Sequence, residues 1–132
     1  MNDNDVNTLI YLEVCEELQL RSPGAGGIEN ADGFRVSEFI TYISQRPSLP
    51  FSVRYTLVEL VIASMNEAIV KNLTNDELHA AFDEYIKSKL NDERYYPHIP
   101  YWISIKSQDE FPIGFLIEKY SEPSLDEETD FM

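Results

Sequence analysis

The stretch from Ser52 to Leu73 constrains the fold more than any other part of the chain. Its apolar residues recur at the three-and-four spacing of an α-helix. At about 100° per residue they cover roughly two thirds of the helix circumference, wider than the apolar stripe of a surface helix. We therefore expect this helix to lie at the centre of a single core, with neighbouring elements on several sides. The apolar residues are Val53, Leu57, Val58, Leu60, Val61, Ile62, Met65, Ala68, Ile69 and Leu73.

Three further stretches have helical spacing. Residues 6–18 predict a first helix and residues 34–45 a short second one. A helix after the central one begins at a capping box, in which the Thr74 hydroxyl accepts from the Glu77 amide, and runs to about Lys89.

The glycine-rich stretch from Arg21 to Gly33 predicts a mobile surface connection between the first two helices. Its glycines also invite comparison with a phosphate-binding loop. That comparison fails because the stretch follows a helix and not a strand, and because no Gly-Lys-Ser/Thr sequence follows it.

Beyond Asn91 the pattern changes to extended chain. Residues 94–102 are densely aromatic and contain two prolines, so they cannot form one continuous helix. Residues Tyr101 to Lys106 and Ile113 to Tyr120 predict two strands, joined by a turn at residues 107–110. The expected fold is mainly α, within the α+β class: about four helices around a central buried helix, with a C-terminal β-hairpin packed against them.

The length of 132 residues is that of one domain, which we place at residues 1–120. Residues 121–132 contain five acids and no base, a composition that predicts a flexible tail. Leu125 and Phe131 within this tail leave open a second interpretation, a segment that docks on a partner. The single Cys15, the acidic N-terminus and the lack of a long apolar run predict a cytoplasmic protein.

Charge is the one extreme property of the chain. With 24 acidic and 10 basic residues, the net charge is −14. A field of this sign repels nucleic acids and anionic membranes, and it accelerates encounters with basic proteins. We therefore expect no nucleic-acid and no membrane partner. Solubility alone is the other explanation of the charge.

No motif for catalysis or metal binding is present. The sequence contains no Gly-x-Ser-x-Gly elbow, no His-Glu-x-x-His, no cysteine cluster and no calcium loop. Asp76, His79 and Asp83 share a helix flank, but a metal site would need a further ligand, and His98 lies in a proline-flanked stretch. We expect no enzyme, no metal site and no cofactor.

Three groups of residues are candidates for contact with a partner protein. They combine acids that would steer a basic partner with aromatic side chains of the types enriched at binding hot spots. Packing in the core is the alternative role for the aromatic residues. The candidates are Glu13, Glu16 and Glu17 of the first helix; Tyr95, Tyr96 and Trp102 of the aromatic stretch; and Asp126, Glu127, Glu128 and Asp130 of the tail.

In size, acidity, helical character and lack of catalytic residues, the chain resembles bacterial immunity proteins, including those of contact-dependent growth inhibition systems. Such proteins protect a cell from a toxin delivered by its neighbours. The resemblance implies a cognate basic toxin domain, often a nuclease, that is neutralised through an acidic surface. It is a resemblance of kind, so no residue role is carried over. Two alternatives remain: a DNA mimic that inhibits DNA-binding enzymes, and a small enzyme or ligand-binding domain with an unrecognised site.

Overall fold

A computed structural model describes residues 3–121 of the chain, with side chains from residue 5 to residue 120. Within this range the chain forms six α-helices, and a single 3-10 turn, Glu93–Tyr95, follows the fourth. The helices are α1 Asp3–Leu18, α2 Val36–Ser44, α3 Phe51–Val70, α4 Asp76–Leu90, α5 His98–Ser104 and α6 Ile113–Ser121.

The prediction of a central buried helix is confirmed. Helix α3 contacts α1, α2, α4 and α6. Its side chains from Leu60 to Asn66 are all buried, so no face of this segment is open to water. Burial of apolar surface on all sides of one helix is the main source of stability in a domain of this kind.

Helix α3 ends earlier than its apolar pattern predicts. Asn72 has a positive φ of 58°, and the N–H groups of Asn72 and Leu73 donate to the carbonyls of Ile69 and Ala68. This is a Schellman motif, in which the residue after the left-handed position packs back on the helix. Leu73 therefore continues the apolar pattern without being helical.

The cap of α4 lies one residue after the predicted one. The side chain of Asn75, and not that of Thr74, accepts from the backbone N–H of Leu78 at 2.7 Å. Asparagine in an extended conformation is among the strongest N-caps, so the Thr74 and Glu77 capping box is not needed to start the helix.

The structure corrects the predicted C-terminal β-hairpin. Helices α5 and α6 occupy the two predicted strands, and an isolated bridge between Ser107 and Phe111 is the only β-pairing in residues 3–121. Short apolar runs do not distinguish a strand from a buried helix. In α6 the buried pair Ile113 and Ile117 has helical spacing. Pro100 is tolerated in α5 because it lies in the first turn, where backbone N–H groups have no partner within the helix.

The glycine-rich connection differs from the mobile surface loop that was predicted, because it packs along α3. A Cβ atom at Gly27 would lie 2.4 Å from the backbone nitrogen of Leu60, and one at Gly33 would lie 2.7 Å from that of Ala68. Only glycine allows the loop to approach the helix this closely. The buried side chain of Asn30 also binds the loop backbone internally.

Polar side chains of α3 hold the same loop. Glu59 Oε1 accepts from the N–H of Gly27 at 2.8 Å, and Ser64 Oγ accepts from the N–H of Asp32 at 3.0 Å. These bonds satisfy loop N–H groups that would otherwise be buried without partners. Glu59 and Ser64 of the central helix therefore bind the loop backbone.

Candidate functional site

The outward side of α1 carries apolar residues among acids. Val6, Leu9 and Leu12 are exposed, Leu9 at 49%. Residues three and four positions apart are neighbours on a helix surface, so these three side chains form one stripe. The exposed acids Asp5, Glu13 and Glu16 flank it. We call these six residues the outer face of α1.

The charge on the outer face of α1 has one sign. Helix α1 contains no lysine and no arginine along its length. A basic partner would therefore meet carboxylates on both sides of the apolar stripe and no like charge within it. Of these six residues, Glu13 and Glu16 were predicted from the sequence as partner-binding residues. Asp5 and the three apolar residues were not, although the spacing of Val6, Leu9 and Leu12 was the signal that would have identified the stripe.

Glu17, the third predicted acid of α1, is engaged within the protein. Its Oε2 accepts from the Tyr42 hydroxyl at 2.9 Å and from Arg46 Nη2 at 3.0 Å. The hydrogen bond from Tyr42 contributes most, and that from Arg46 next, to holding the pKa of the Glu17 carboxyl below its usual range. The side chain is exposed, but its role in the structure is to link α1 to α2.

Two arginines from the α2 region offset the unfavourable acids at the C-terminal end of α1. Arg35 donates to the carbonyl of Leu18, the last residue of α1, and also binds Glu38 at 2.7 Å. Arg46 binds Glu17. Cations at this end of a helix interact favourably with its dipole, so the acidic segment is tolerated where it stands.

The structure corrects two of the three predicted aromatic contact residues. Tyr95 is 2% exposed, and its ring lies 5.0 Å from that of Phe51. Trp102 is 1% exposed, and its ring lies 6.3 Å from that of Phe111. Both side chains belong to the core, the alternative role considered from the sequence: Tyr95 is turned inward at the end of the 3-10 turn, and Trp102 lies on the buried side of α5.

Tyr96 keeps its predicted accessibility, at 47% exposed. It lines a cleft of about 600 Å³ between the end of α4 and helices α5 and α6. The cleft is also lined by Lys87, Ile99 and Tyr120. Tyr101, which the sequence did not single out, is exposed as well. The tail acids Asp126, Glu127, Glu128 and Asp130 lie outside the described residues.

His98 belongs to the core of the protein. His98 is buried, its ring stacks on Tyr55 with centroids 3.9 Å apart, and its Nε2 lies 3.1 Å from the Tyr55 carbonyl oxygen. Burial lowers the pKa of His98 to about 4, although the hydrogen bond to Tyr55 opposes the shift. The side chain therefore fills space in the core as a neutral ring.

Among residues 3–121, no three His, Cys, Asp or Glu side chains are grouped so that they could hold a metal ion. In the same part of the chain, no helix combines the length and the apolar character needed to cross a membrane.

No family model, no curated protein and no solved structure matches the chain. The interpretation of the site therefore rests on its geometry and charge.

Proposed function

We propose that this protein is an immunity-type inhibitor that acts in the cytoplasm by binding, and thereby neutralising, a basic toxin domain. The observation that carries the proposal is the outer face of α1, an apolar stripe between carboxylates with no basic residue. Exposed apolar side chains grouped on one helix face are typical of a contact with another protein.

The two kinds of residue on this face have different parts in the proposed binding. Glu13 and Glu16 attract a basic partner over distances of about 8 Å in physiological salt, which raises the association rate. Val6, Leu9 and Leu12 then pack against an apolar patch on the partner and are buried from water. Their burial slows dissociation, because desolvated apolar contacts are the main determinant of complex lifetime.

The same face argues against a DNA mimic that acts through charge alone. Such a protein needs carboxylates at phosphate-like positions, whereas Leu9, at the middle of the face, offers nothing to a phosphate-binding groove. An apolar centre with a charged rim is the arrangement of a specific protein interface.

The test begins with the genes that flank the gene for this protein. We expect one of them to encode a large secreted protein with a basic C-terminal domain. Expression of that domain alone is expected to stop bacterial growth, and co-expression of this protein is expected to restore it. The purified pair should bind with an affinity that falls as salt is raised. Absence of such a gene, or failure to restore growth, contradicts the proposal.

Charge reversal on the outer face of α1 distinguishes binding at this face from attraction by the net charge of the whole protein. The double variant Glu13→Lys and Glu16→Lys is expected to weaken binding by about a hundredfold, since close charge pairs couple by a few kcal/mol. The control is Glu93→Lys with Asp109→Lys, which changes the net charge equally at exposed positions outside α1. Equal weakening by the two double variants would rule out the outer face of α1 as the contact.

A further inference from the structure

The cleft beside Tyr96 differs in charge from the protein as a whole. It measures about 600 Å³ and lies between the end of α4 and helices α5 and α6. The chain has 24 acidic and 10 basic residues, yet within residues 3–121 no acidic side chain lines this cleft, and Lys87 is its one charged residue. Charge complementarity therefore favours an anion in the cleft.

Two hydrogen-bond donors of α4 line the cleft one helical turn apart. The backbone N–H of Asn91 donates to the carbonyl oxygen of Lys87 at 3.2 Å, so the helical path continues through both residues. Side chains four positions apart share one helix face, with Cβ atoms about 5 to 6 Å apart. Both side chains are exposed, and Lys87 makes no ion pair within residues 3–121. The Lys87 ammonium and the Asn91 amide are therefore within reach of one group in the cleft.

The acid one turn before Lys87 is bound by another residue. Asp83 accepts a hydrogen bond from the hydroxyl of Tyr120, and it does not line the cleft. The Nζ of Lys87 lies 5.7 Å from the centre of the Tyr120 ring, within the range of a cation–π contact. The ammonium of Lys87 is thus held at the wall of the cleft that Tyr120 forms.

The rest of the wall suits a flat apolar body. Leu90 and Ile99 contribute aliphatic side chains, and Tyr96 and Tyr120 contribute rings from two different parts of the chain. Tyrosine rings pack favourably against other aromatic rings, and Tyr96 is 47% exposed. The volume of the cleft lies within the range of about 300 to 1,000 Å³ that is usual for small-molecule sites.

We propose that this cleft binds a small aromatic carboxylic acid. The ring of the ligand packs against Tyr96 and Tyr120, and its carboxylate accepts hydrogen bonds from Lys87 and Asn91. Two donors on one helix face match the two oxygens of a carboxylate, whereas a phosphate has three terminal oxygens to satisfy. The cleft uses no residue of the outer face of α1, so this inference is independent of the proposed inhibitor function.

Titration of the full chain with phenylacetate at constant ionic strength tests the inference, with calorimetry and the backbone amide signals in NMR as readouts. We expect saturable binding that shifts the signals of Lys87, Asn91 and Tyr96. Phenylacetamide has the same ring without the charge and is expected to bind at least tenfold more weakly. Acetate lacks the ring and should not saturate the site. Binding of either compound as tightly as phenylacetate would overturn the inference.

Two further probes distinguish a small carboxylic acid from other anions. Phenyl phosphate carries the same ring on a phosphate, and the peptide Gly-Gly-Phe carries it beside a C-terminal carboxylate. Both are expected to bind more weakly than phenylacetate, because the apolar wall leaves the third phosphate oxygen and the peptide amides without partners. If either bound as tightly as phenylacetate or more tightly, the proposed ligand class would be wrong.

Two lysines of the same turn locate the carboxylate. Lys87→Met is expected to weaken phenylacetate binding about tenfold or more, because a hydrogen bond between charged groups is lost. Lys89→Met is the control, since it changes the net charge equally and Lys89 lines a different cavity. Equal weakening by the two variants would show general charge attraction and would overturn the inference.

Two exposed tyrosines locate the ring of the ligand. Tyr96 is 47% exposed and Tyr101 is 43% exposed, so neither Tyr96→Ser nor Tyr101→Ser should unfold the protein. Tyr96→Ser is expected to weaken phenylacetate binding about tenfold, because an aromatic contact is lost. Tyr101 does not line the cleft, so Tyr101→Ser should change the affinity by less than about twofold. Unchanged affinity in Tyr96→Ser, or equal weakening by both variants, would contradict the site.

Discussion

The side chain of Asn66 on α3 caps α6: its Oδ1 accepts from the backbone N–H of Ile113, the first residue of that helix, at 3.1 Å. The Nδ2 of the same side chain donates to the carbonyl oxygen of Glu110 at 2.9 Å. One buried amide thus fixes where the last described helix begins relative to the central one. It binds two backbone groups of a segment more than 40 residues later in the chain. An N-cap residue usually does this for the helix that it immediately precedes.

Replacement of Asn66 by alanine is expected to lower the free energy of unfolding by about 2 to 3 kcal/mol, since it leaves the Ile113 N–H buried without a partner. Urea unfolding at neutral pH measures the loss. The control is Asn91→Ala, at an exposed position after α4, for which we expect a change within about 0.5 kcal/mol. Similar values for the two variants would mean that the Asn66 bonds do not hold α6.

Two adjacent tyrosines test the assignment of the aromatic stretch. Tyr95→Ala is expected to cost about 3 kcal/mol or more, because it leaves a cavity in the core, whereas Tyr96→Ala should change stability by less than about 0.5 kcal/mol. Urea unfolding of the two variants gives the comparison directly. If Tyr96→Ala proved the more damaging, the orientation of the chain before α5 would be wrong.

Two leucines of α1, one exposed and one buried, test whether the outer face of α1 is open to a partner. Leu9 is 49% exposed and Leu18 is 3% exposed. Leu18→Ala is expected to destabilise the fold by about 2 to 5 kcal/mol, and Leu9→Ala by no more than about 0.5 kcal/mol. Thermal and urea unfolding measure both. A large loss for Leu9→Ala would place its side chain in the core and remove the centre of the outer face of α1.

Burial of His98 makes stability depend on pH. Its pKa of about 4 in the folded protein lies below the usual 6.5, so between these values the unfolded chain binds more protons than the folded one. Stability should therefore rise with pH from about 4 to 6.5, by up to about 3 kcal/mol for a shift of this size. The free energy of unfolding by urea at pH 5, 6 and 7 measures this slope.

The control for His98 is the second histidine of the chain. His98→Gln is expected to flatten the dependence on pH between 5 and 7, whereas His79→Gln should leave the slope as it is in the wild type. A slope that survives in His98→Gln would assign it to other groups.

The location of the core was predictable, whereas the C-terminal helices were not. Leu57, Val58 and Ile62 are buried because a helix that is apolar on most sides has no orientation that exposes only polar groups. Residues 101–106 and 113–120 are short and rich in aromatic and β-branched residues, which favour strands locally. The structure instead packs the two helices together: a Cβ atom at Gly114 would lie 2.4 Å from the carbonyl oxygen of Trp102. This is a tertiary contact, which local preference does not predict.

The candidate site was predictable in part for a related reason. Glu13 and Glu16 lie opposite the apolar side of α1, so the helical period alone predicts that they face outward. Glu17 is only one position further along, and its partners Tyr42 and Arg46 come from another helix. The same holds for Tyr95 and Tyr96, since neighbours in an irregular stretch have no period that tells the buried ring from the exposed one.

The sequence by itself determined that the segment from Ser52 onward is a helix at the centre of the core, because apolar surface on most sides must be buried whatever its neighbours are. Only the tertiary structure decided what the polar side chains of that helix bind. Glu59, Ser64 and Asn66 bind backbone groups 32 to 47 positions away in the chain. Hydrogen bonds over such separations depend on where loops and helices pack, and they leave no periodic pattern in the sequence.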